Sequence, residues 1–274
     1  MGVNAAGLRH YQQRWGLTAL AEPFATPSSS LQQVRLPDGR EAMLKLTTDA
    51  AEQRGGQQLL SWQGNAAAVV VYAHAPTAFL LALAPGAYSV LQALGQGGMA
   101  ADDGATQILG RCMQQLHGTP LSQFTDLMPL SQWFADLWMT KLNDVRLLPA
   151  QRLAEVLLAE PQSCVSLHGD GHHDNVLRFG QDDWRAIDPK GLQGEHYFDY
   201  VPILANPDLG ALAQEPQRFT RQLGLVCAQQ DLDPQRLAQW VAVTAALSAV
   251  WFLEDGDEAK GRQQLSMMAL ALSY

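Results

Sequence analysis

Apolar and polar residues alternate through much of the first hundred positions, a pattern typical of β-strands. Around residues 31–46 the alternation runs on both sides of Pro37-Asp38-Gly39, which predicts a β-hairpin with its turn at these three residues. Apolar runs at 67–72 and 78–84 flank Pro76 and predict two more strands. A helix is expected near 49–62. The chain is therefore expected to begin with a small antiparallel sheet carrying one helix.

The hydrophobic period becomes helical after residue 100. Apolar residues recur every three or four positions from Ala105 to Leu116, and Gly118 follows them. Asp102 or Asp103 is the expected N-cap, since a carboxylate can accept hydrogen bonds from the first free backbone N–H groups of a helix. This segment predicts an amphipathic helix that buries one face.

Further helical patterns fill the second part of the chain, and three short strands lie among them. Helices are expected over about 131–146, 150–159, 215–229 and 234–254. Asp233 and Pro234 suit the N-cap and the first helical position of the last one. Apolar runs at 164–168, 175–179 and 184–187 predict the strands, with 180–183 as a hairpin turn between the second and third. The second part is expected to be mainly helical.

Length and composition favour two lobes. The chain has 274 residues, of which 47% are hydrophobic, enough for a large core and more than one small domain usually needs. Pro85-Gly86 ends the last predicted strand of the first part. We therefore expect an N-terminal lobe over residues 1–85 and a mainly helical C-terminal lobe over 86–274.

The charge balance excludes some classes of partner. A formal charge of −9 with only 18 Lys and Arg residues argues against nucleic acid or an anionic membrane as the partner, and suits a cationic small molecule. The three cysteines are isolated in sequence and predict neither a metal site nor a disulfide framework. Residues 1–14 lack an apolar core, and no run of about eighteen apolar residues occurs. The protein is expected to be soluble and cytoplasmic, with an oligomeric state that the sequence does not indicate.

The most specific motif is Leu-His-Gly-Asp-Gly-His-His-Asp-Asn-Val-Leu at 167–177, followed by Ile-Asp-Pro-Lys-Gly at 187–191. Asp170 and Asn175 stand five residues apart, and Asp188 completes a set that kinase-like enzymes place under a triphosphate. Asp170 would accept the proton of a substrate hydroxyl. Asn175 and Asp188 would offer a neutral and a charged oxygen to Mg²⁺. The motif predicts phosphoryl transfer from ATP.

Residues upstream can serve the same chemistry. Lys45 interrupts the apolar strand at 42–46 and could reach the α- and β-phosphates of ATP. Glu52, at the start of the predicted helix, could hold Lys45 in an ion pair. Ser28 and Ser29, in a Thr-Pro-Ser-Ser-Ser turn, could supply hydroxyl and N–H groups over the phosphates. No glycine-rich loop accompanies them.

Two other functions fit part of the motif. Three histidines, His168, His172 and His173, interleave with Asp170 and Asp174, as the ligands of a metal-dependent hydrolase could. The other four histidines form no spaced motif that would complete such a site. In a kinase, His168 would instead orient the catalytic loop through a hydrogen bond. The second alternative is a pseudokinase that binds nucleotide without turnover. The complete set of candidate catalytic residues argues against it.

Four carboxylates surround Gly256 near the end of the predicted helix 234–254. Acidic residues at a helix C-terminus are electrostatically unfavourable, so their position calls for another reason. A solvated helix end would tolerate them, whereas contact with a cationic substrate would explain them. Glu254 and Asp255 are therefore candidate substrate-binding residues.

These motifs resemble the aminoglycoside phosphotransferase superfamily, and within it the streptomycin 6-phosphotransferase and hydroxyurea phosphotransferase branch. The resemblance extends over nearly the whole chain after about residue 15, and the Ile-Asp-Pro-Lys-Gly form is particular to that branch. Gly171 and Asp174 depart from it, standing where leucine and glycine are usual. Ala82 and Leu83 replace a Glu-Arg pair that is common at the corresponding site.

The resemblance implies a protein-kinase-like bilobal α+β fold with a small antiparallel-sheet N-lobe and a mainly helical C-lobe. Residues 1–85 would then form the nucleotide-binding lobe, and residues 86–274 the helical catalytic and substrate-binding lobe. It implies Asp170 as the catalytic aspartate, Asn175 and Asp188 as Mg²⁺ ligands and Lys45 as the phosphate-binding lysine. Leu81 and Leu83 would lie in the hinge between the lobes, where adenine docks. The expected activity is MgATP-dependent phosphorylation of a hydroxyl on a small molecule, in an antibiotic-resistance kinase of the streptomycin or hydroxyurea type.

Overall fold

The computed structural model describes residues 2–95, 98–206 and 213–274, and its first part is an antiparallel sheet with two helices. Its elements are α1 (Ala5–Trp15), β1 (Thr18–Ala19), β2 (Phe24–Ala25), β3 (Ser29–Arg35), β4 (Glu41–Thr47), α2 (Ala50–Ser61), β5 (Val71–Ala75) and β6 (Ala78–Ala82). The strand order is β1-β3-β4-β6-β5, with β2 pairing to β3. The hairpin predicted around Pro37-Asp38-Gly39 is confirmed, and Gly39 takes the positive φ of 90° that its turn requires.

Alternation along β3 and β4 gives the sheet two buried faces. Leu8 of α1, which the sequence pattern did not predict, packs with Val34 and Leu44 in a small core on one face. Phe79 and Leu81 of β6 join the main core on the other face, with Leu59 of α2. The sheet therefore connects a minor core to the core of the whole protein.

The strand expected over 67–72 begins later than predicted, at Val71. The backbone before it pairs elsewhere, because Ala186 N donates to Ala67 O at 2.7 Å and Val69 N donates to Ala186 O at 3.1 Å. These two hydrogen bonds tie the sheet to a distant hairpin that carries part of the candidate site.

The second part is mainly helical, as expected. Its helices are α3 (Val90–Leu94), α4 (Gly98–His117), α5 (Leu130–Trp133), α6 (Asp136–Met139), α7 (Leu148–Ala159), α8 (Val201–Ala205), α9 (Pro216–Gln230), α10 (Pro234–Glu254) and α11 (Glu258–Leu272). Its strands are β7 (Met128–Pro129), β8 (Cys164–Leu167), β9 (Val176–Gly180), β10 (Asp183–Ala186) and β11 (Leu192–Glu195). Strands β9 and β10 form the predicted hairpin, and β7, β11 and β8 form a three-stranded sheet. The catalytic motif lies between these two small sheets.

The N-cap expected for α4 is wrong. The helix begins at Gly98, so Asp102 and Asp103 lie inside it. The side chain of Asp102 is buried and accepts two hydrogen bonds, each 2.9 Å long, from Arg218 of α9. A buried ion pair between two helices, rather than a cap, accounts for this aspartate.

The single helix expected over 131–146 is also wrong. It is divided into α5 and α6, and the chain leaves α6 at Thr140. The Thr140 hydroxyl donates to Glu254 Oε1 at 2.7 Å, and Lys141 N donates to the same oxygen at 3.1 Å. Hydrogen bonds to the end of α10 therefore replace those that would continue the helix.

Helix α10 is the centre of the second part, with the bounds that Asp233 and Pro234 predicted. Among the described residues it is the one helix long and apolar enough to cross a membrane by length and composition. However, 61% of its apolar stretch is buried within the protein, and it packs against α7, α9 and the unpredicted α11. It is a core helix.

Candidate active site

Lys45 and Glu52 meet inside the cleft, where β4 and the first turn of α2 bring them together. Asp49 caps α2 by accepting hydrogen bonds from Ala51 N and Glu52 N, which fixes the start of the helix beside the strand. Lys45 is only 8% exposed, and its Nζ lies 2.5 Å from Glu52 Oε2. The same ammonium contacts Asp188 Oδ1. A strand, a helix and a distant loop thus converge on one lysine.

The other candidate nucleotide contacts lie around this lysine at different positions. Ser28 Oγ donates to Glu52 Oε1 at 3.1 Å, which places it in the same polar cluster. Ser29 Oγ is buried and has no hydrogen-bond partner among the described residues. Leu81 lines a small cavity together with Lys45, Glu52 and Asp188. Leu83 follows β6, outside the lining of that cavity, and its N–H donates to Glu41 O at 3.4 Å.

Asp170 is held by its own loop at the end of β8. Gly169, with a φ of 80°, turns the chain after the strand. Asn175 Nδ2 then donates to Asp170 O at 2.9 Å and to Asp170 Oδ2 at 3.3 Å, which leaves the amide oxygen of Asn175 free of these contacts. The loop closes on the residue that the sequence predicted as base.

The two carboxylate oxygens of Asp170 differ in their surroundings. Oδ2 lies 3.1 Å from Lys190 Nζ and accepts the bond from Asn175. Oδ1 lies 3.7 Å from His172 Nε2, beyond hydrogen-bond distance. The Asp170 side chain is 33% exposed, so Oδ1 is the oxygen able to accept a proton from an incoming hydroxyl.

Asp188 follows β10 in a left-handed conformation, with a φ of 60°. Ile187 N donates to Asn175 O at 2.9 Å, which brings the two candidate metal ligands into neighbouring positions. Burial opposes ionisation of Asp188, but the ammonium groups of Lys45 and Lys190 outweigh it and lower the pKa of the carboxyl. An ionised carboxylate and an amide oxygen are hard donors of the kind Mg²⁺ prefers.

His168 orients the loop, as the sequence predicted. It is fully buried, its Nε2 donates to Ile187 O at 2.8 Å, and its Nδ1 accepts from Asp170 N at 3.3 Å. Burial lowers the pKa of His168, which keeps the ring neutral and able to donate from one nitrogen and accept at the other. The ring thereby connects the base loop to the residue before Asp188.

Asp199 supports the same loop, a role that the spacing of the motif did not reveal. It is completely buried and accepts hydrogen bonds from His168 N at 2.8 Å and Gly169 N at 2.7 Å. His117, which ends α4, contacts the same carboxylate at 2.7 Å. The residue stands 29 positions after Asp170 in sequence, so only the fold could identify its function.

Lys190 is the other site residue that sequence reasoning missed. Its contact with Asp170 places a second lysine beside the catalytic loop, in addition to Lys45. Burial opposes the charge, but Asp170, Asp188 and Glu52 outweigh it and raise the pKa of the ammonium group. The sequence signal for this residue is its place in the Ile-Asp-Pro-Lys-Gly motif, two positions after Asp188.

Gly171 and Asp174, which depart from the family pattern in the catalytic motif, each have a specific neighbour in the structure. A Cβ at Gly171 would lie 2.6 Å from Met113 Sδ, so α4 occupies the space that a leucine side chain would need. Asp174 Oδ1 accepts from Ser89 Oγ at 3.4 Å. Asp174 is thereby linked to the segment that begins α3, and none of the hydrogen bonds between described residues links its carboxylate to Asn175.

Glu254 and Asp255 lie at the end of α10, apart from this cluster. No hydrogen bond or ion pair within the described ranges links either one to Asp170, Asn175 or Asp188. The contacts of Glu254 with Thr140 and Lys141 give this carboxylate a structural reason for its position at the helix end. Its expected contact with substrate remains a prediction, as does that of Asp255.

The histidines of the motif do not assemble a metal centre. His172 approaches Asp170, whereas His173 is buried with both ring nitrogens unpaired among the described residues. No group of three or more His, Cys, Asp or Glu residues in the described ranges is arranged to hold a metal ion. This arrangement gives no support to a metal-dependent hydrolase.

Three features define the class of this protein. They are an antiparallel sheet that carries a lysine, a helix that carries its carboxylate partner, and a catalytic loop in a helical second part. The protein is a protein-kinase-like phosphotransferase. Solved structures agree on the fold: a ternary complex of aminoglycoside phosphotransferase APH(4)-Ia with ADP and hygromycin B superimposes with a TM-score of 0.67, at 14% identity, over 97% of each chain.

The family is identified by sequence comparison. The model of the aminoglycoside/hydroxyurea antibiotic resistance kinases matches residues 14–256. The streptomycin 3''-kinase of Klebsiella pneumoniae is 39% identical over 248 residues, covering 89% of this chain and 91% of that protein. The streptomycin 6-kinase of Streptomyces glaucescens is 29% identical over 262 residues, covering 90% and 82%.

The chain belongs to the aminoglycoside/hydroxyurea antibiotic resistance kinase family. It is a small-molecule kinase that transfers a phosphoryl group from ATP, as the sequence predicted. The family assignment supports neither the hydrolase nor the pseudokinase alternative.

Proposed function

We propose that this enzyme phosphorylates a hydroxyl group of a streptomycin-like aminoglycoside, with MgATP as the phosphoryl donor. The observation that carries the proposal is the 39% identity, over about nine-tenths of both chains, to a streptomycin 3''-kinase. The lower identity to a streptomycin 6-kinase makes the 3''-hydroxyl the favoured acceptor position. The acidic balance of the chain, with a charge of −9, suits a cationic antibiotic.

In the proposed reaction, Oδ1 of Asp170 accepts the proton of the substrate hydroxyl as its oxygen attacks the γ-phosphorus. Asn175 and Asp188 would hold Mg²⁺, which supplies positive charge to the phosphate oxygens when bound. Lys45, kept in place by Glu52, would contact the phosphates nearer the nucleoside. Most of the catalysis then comes from positioning and electrostatics, because the protein forms no covalent bond.

The remaining assignments follow from this arrangement. Adenine would bind between the lobes, whose boundary we place near residue 85, beside Leu81 and Leu83. Ser28 and Ser29 would lie over the phosphates, and Glu254 and Asp255 would contact the cationic acceptor. The enzyme would act in the cytoplasm, where ATP is available.

Phosphoryl transfer from radiolabelled ATP to streptomycin, other aminoglycosides and hydroxyurea tests the proposed acceptor. We expect labelling of streptomycin, with NMR of the product placing the phosphate on the 3''-hydroxyl. Labelling of hydroxyurea without any aminoglycoside would overturn the proposed substrate class while leaving the kinase assignment intact. Product phosphorylated at the 6-position would overturn only the choice of hydroxyl.

Asp170→Asn tests the proposed base. Because the amide cannot accept the hydroxyl proton, we expect turnover to fall by about 10²–10⁴-fold, with ATP affinity retained. Asp182→Asn is the matched control, since Asp182 is exposed in the β9–β10 turn and asparagine tolerates its positive φ. Unimpaired transfer by the Asp170 variant would refute the assignment.

A further inference from the structure

The position of Lys190 is fixed by the catalytic loop itself. Its backbone N–H donates to His168 O at 2.9 Å, so the lysine is held beside the loop that carries Asp170. The next residue is fixed as well, since Gly191 N donates to Gln58 Oε1 at 2.9 Å. The ammonium group lies 3.1 Å from Asp170 Oδ2, and the Lys190 side chain is 29% exposed.

The ammonium group of Lys190 has a different role in the cleft from that of Lys45. Lys45 is already shared between Glu52 and Asp188. The proposed base, Asp170, must approach a γ-phosphoryl group whose three equatorial oxygens carry negative charge, and the two anions repel each other at that distance. A cation placed between them removes the repulsion and stabilises the charge of the transition state. Among the described residues, Lys190 is the lysine that contacts Asp170.

We propose that Lys190 is a catalytic residue that donates a hydrogen bond to an oxygen of the transferring γ-phosphoryl group while remaining paired with Asp170. This inference rests on the proposed function. During transfer the bond between the γ-phosphorus and the β–γ bridging oxygen breaks, and its electron pair leaves with ADP. The acceptor oxygen forms the new P–O bond and its proton passes to Asp170, while Lys190 stays protonated throughout.

A contact with the γ-phosphoryl group distinguishes ATP from ADP, and this difference separates the proposal from a structural role. Lys190→Gln removes the cation but keeps a side chain of similar length. We expect the ratio of AMP-PNP to ADP affinity, measured calorimetrically with Mg²⁺, to fall by at least tenfold, with ADP affinity within about threefold of wild type. The kcat should fall by about 10²–10³-fold.

Two further variants control the experiment. Lys190→Arg keeps the charge, and we expect it to recover most of the affinity ratio and part of the kcat. Lys260→Gln is the matched control, because Lys260 also pairs with an aspartate, Asp257 at 3.3 Å, but is exposed and lies outside the site. It should leave both measurements unchanged. Lys190→Met serves as a second charge-removing variant if the glutamine variant fails to fold.

The outcomes separate this inference from the proposed function. If wild type binds nucleotide and transfers phosphate, but both charge-removing variants lower AMP-PNP and ADP affinity equally, Lys190 has a structural role and the inference is wrong. An unchanged affinity ratio with normal kcat overturns it as well. Failure of wild type to bind MgATP would instead overturn the proposed function, and this inference with it.

Discussion

Two histidines of the catalytic motif are almost equally buried but have different hydrogen-bond partners. His168 and His173 are both buried, at 0% and 1% exposure. His168 uses both ring nitrogens to join loop segments, whereas neither nitrogen of His173 has a hydrogen-bond partner among the described residues. Burial, with a smaller contribution from nearby Arg218, lowers the pKa of His173 from 6.5 to about 4. His173 therefore packs as an apolar side chain, and its protonation would destabilise the fold.

His173→Leu should remove part of the acid sensitivity of the fold. Between pH 6.5 and 4 the unfolded chain binds a proton that the folded His173 resists, so the free energy of unfolding falls as pH falls. We expect the variant to match wild type within about 1 kcal/mol at pH 7.5. On acidification from pH 7.5 to pH 4.5, the free energy of unfolding of the variant should fall by about 2 kcal/mol less than that of wild type.

Urea denaturation at both pH values measures this difference. His168 is retained in both proteins, so its own titration cancels in the comparison. His10→Leu, at an exposed histidine of α1, should keep the acid dependence of wild type. An equally steep loss of stability in the His173 variant would contradict the argument.

Between elements, α2 packs closely against the loop after Asp188. A Cβ at Gly55 would lie 1.9 Å from Pro189 O, and one at Gly191 would lie 2.7 Å from Arg54 Cβ. Gly191 also has a φ of 70°, which disfavours any side chain. These glycines let the helix that carries Glu52 reach the loop that carries Asp188 and Lys190.

Gly55→Ala should therefore displace that loop. The added methyl group meets a backbone oxygen, which cannot rotate away, so we expect a loss of about 1–3 kcal/mol in unfolding free energy. We also expect a fall in kcat of at least tenfold, because the Lys45–Asp188 contact depends on the loop position. Chemical denaturation and steady-state kinetics measure the two effects.

Gly224→Ala in α9 is the matched control for this substitution. A Cβ at Gly224 meets no atom within 4 Å, so alanine should stabilise that helix by up to about 1 kcal/mol. The kcat of the Gly224 variant should be unchanged. Normal kinetics in the Gly55 variant would show that the loop tolerates the displacement.

Across the whole molecule, the sheet-bearing first part and the helical second part are tied together by a buried side chain. Gln58 of α2 is 2% exposed, its Nε2 donates to Leu167 O at 2.7 Å, and its Oε1 accepts from Gly191 N at 2.9 Å. One amide thus connects α2 to the strand before Asp170 and to the loop after Asp188.

Gln58→Ala should remove a buried hydrogen-bond partner from both of those backbone groups. At about 1–3 kcal/mol for each hydrogen bond lost, we expect a loss of about 2–6 kcal/mol in unfolding free energy. Gln57→Ala, one position earlier and exposed, should change stability by less than about 0.5 kcal/mol. Thermal and urea denaturation of both variants provide the comparison, and equal stabilities would refute the bridging role of Gln58.

Agreement between sequence and structure is greatest where structure is local. The β3–β4 hairpin and the bounds of α10 follow from a turn, a cap and a regular hydrophobic period. The errors occur where a distant partner overrides the pattern. Arg218 draws Asp102 into the interior of α4, and Glu254 takes the hydrogen bonds that would have continued α6 through Thr140.

The reaction class could be predicted without the fold, because Asp170, Asn175 and Asp188 lie close enough along the chain for their spacing to indicate the chemistry. It also indicated Lys45 and Glu52, seven residues apart on adjoining elements. The surroundings of these groups come from the folded chain: Asp199 bonded to the catalytic loop, Lys190 beside Asp170, and Gln58 between the two parts. Such contacts join residues through the packing of separate elements, and no periodicity or spacing in a linear chain records which buried polar groups will meet.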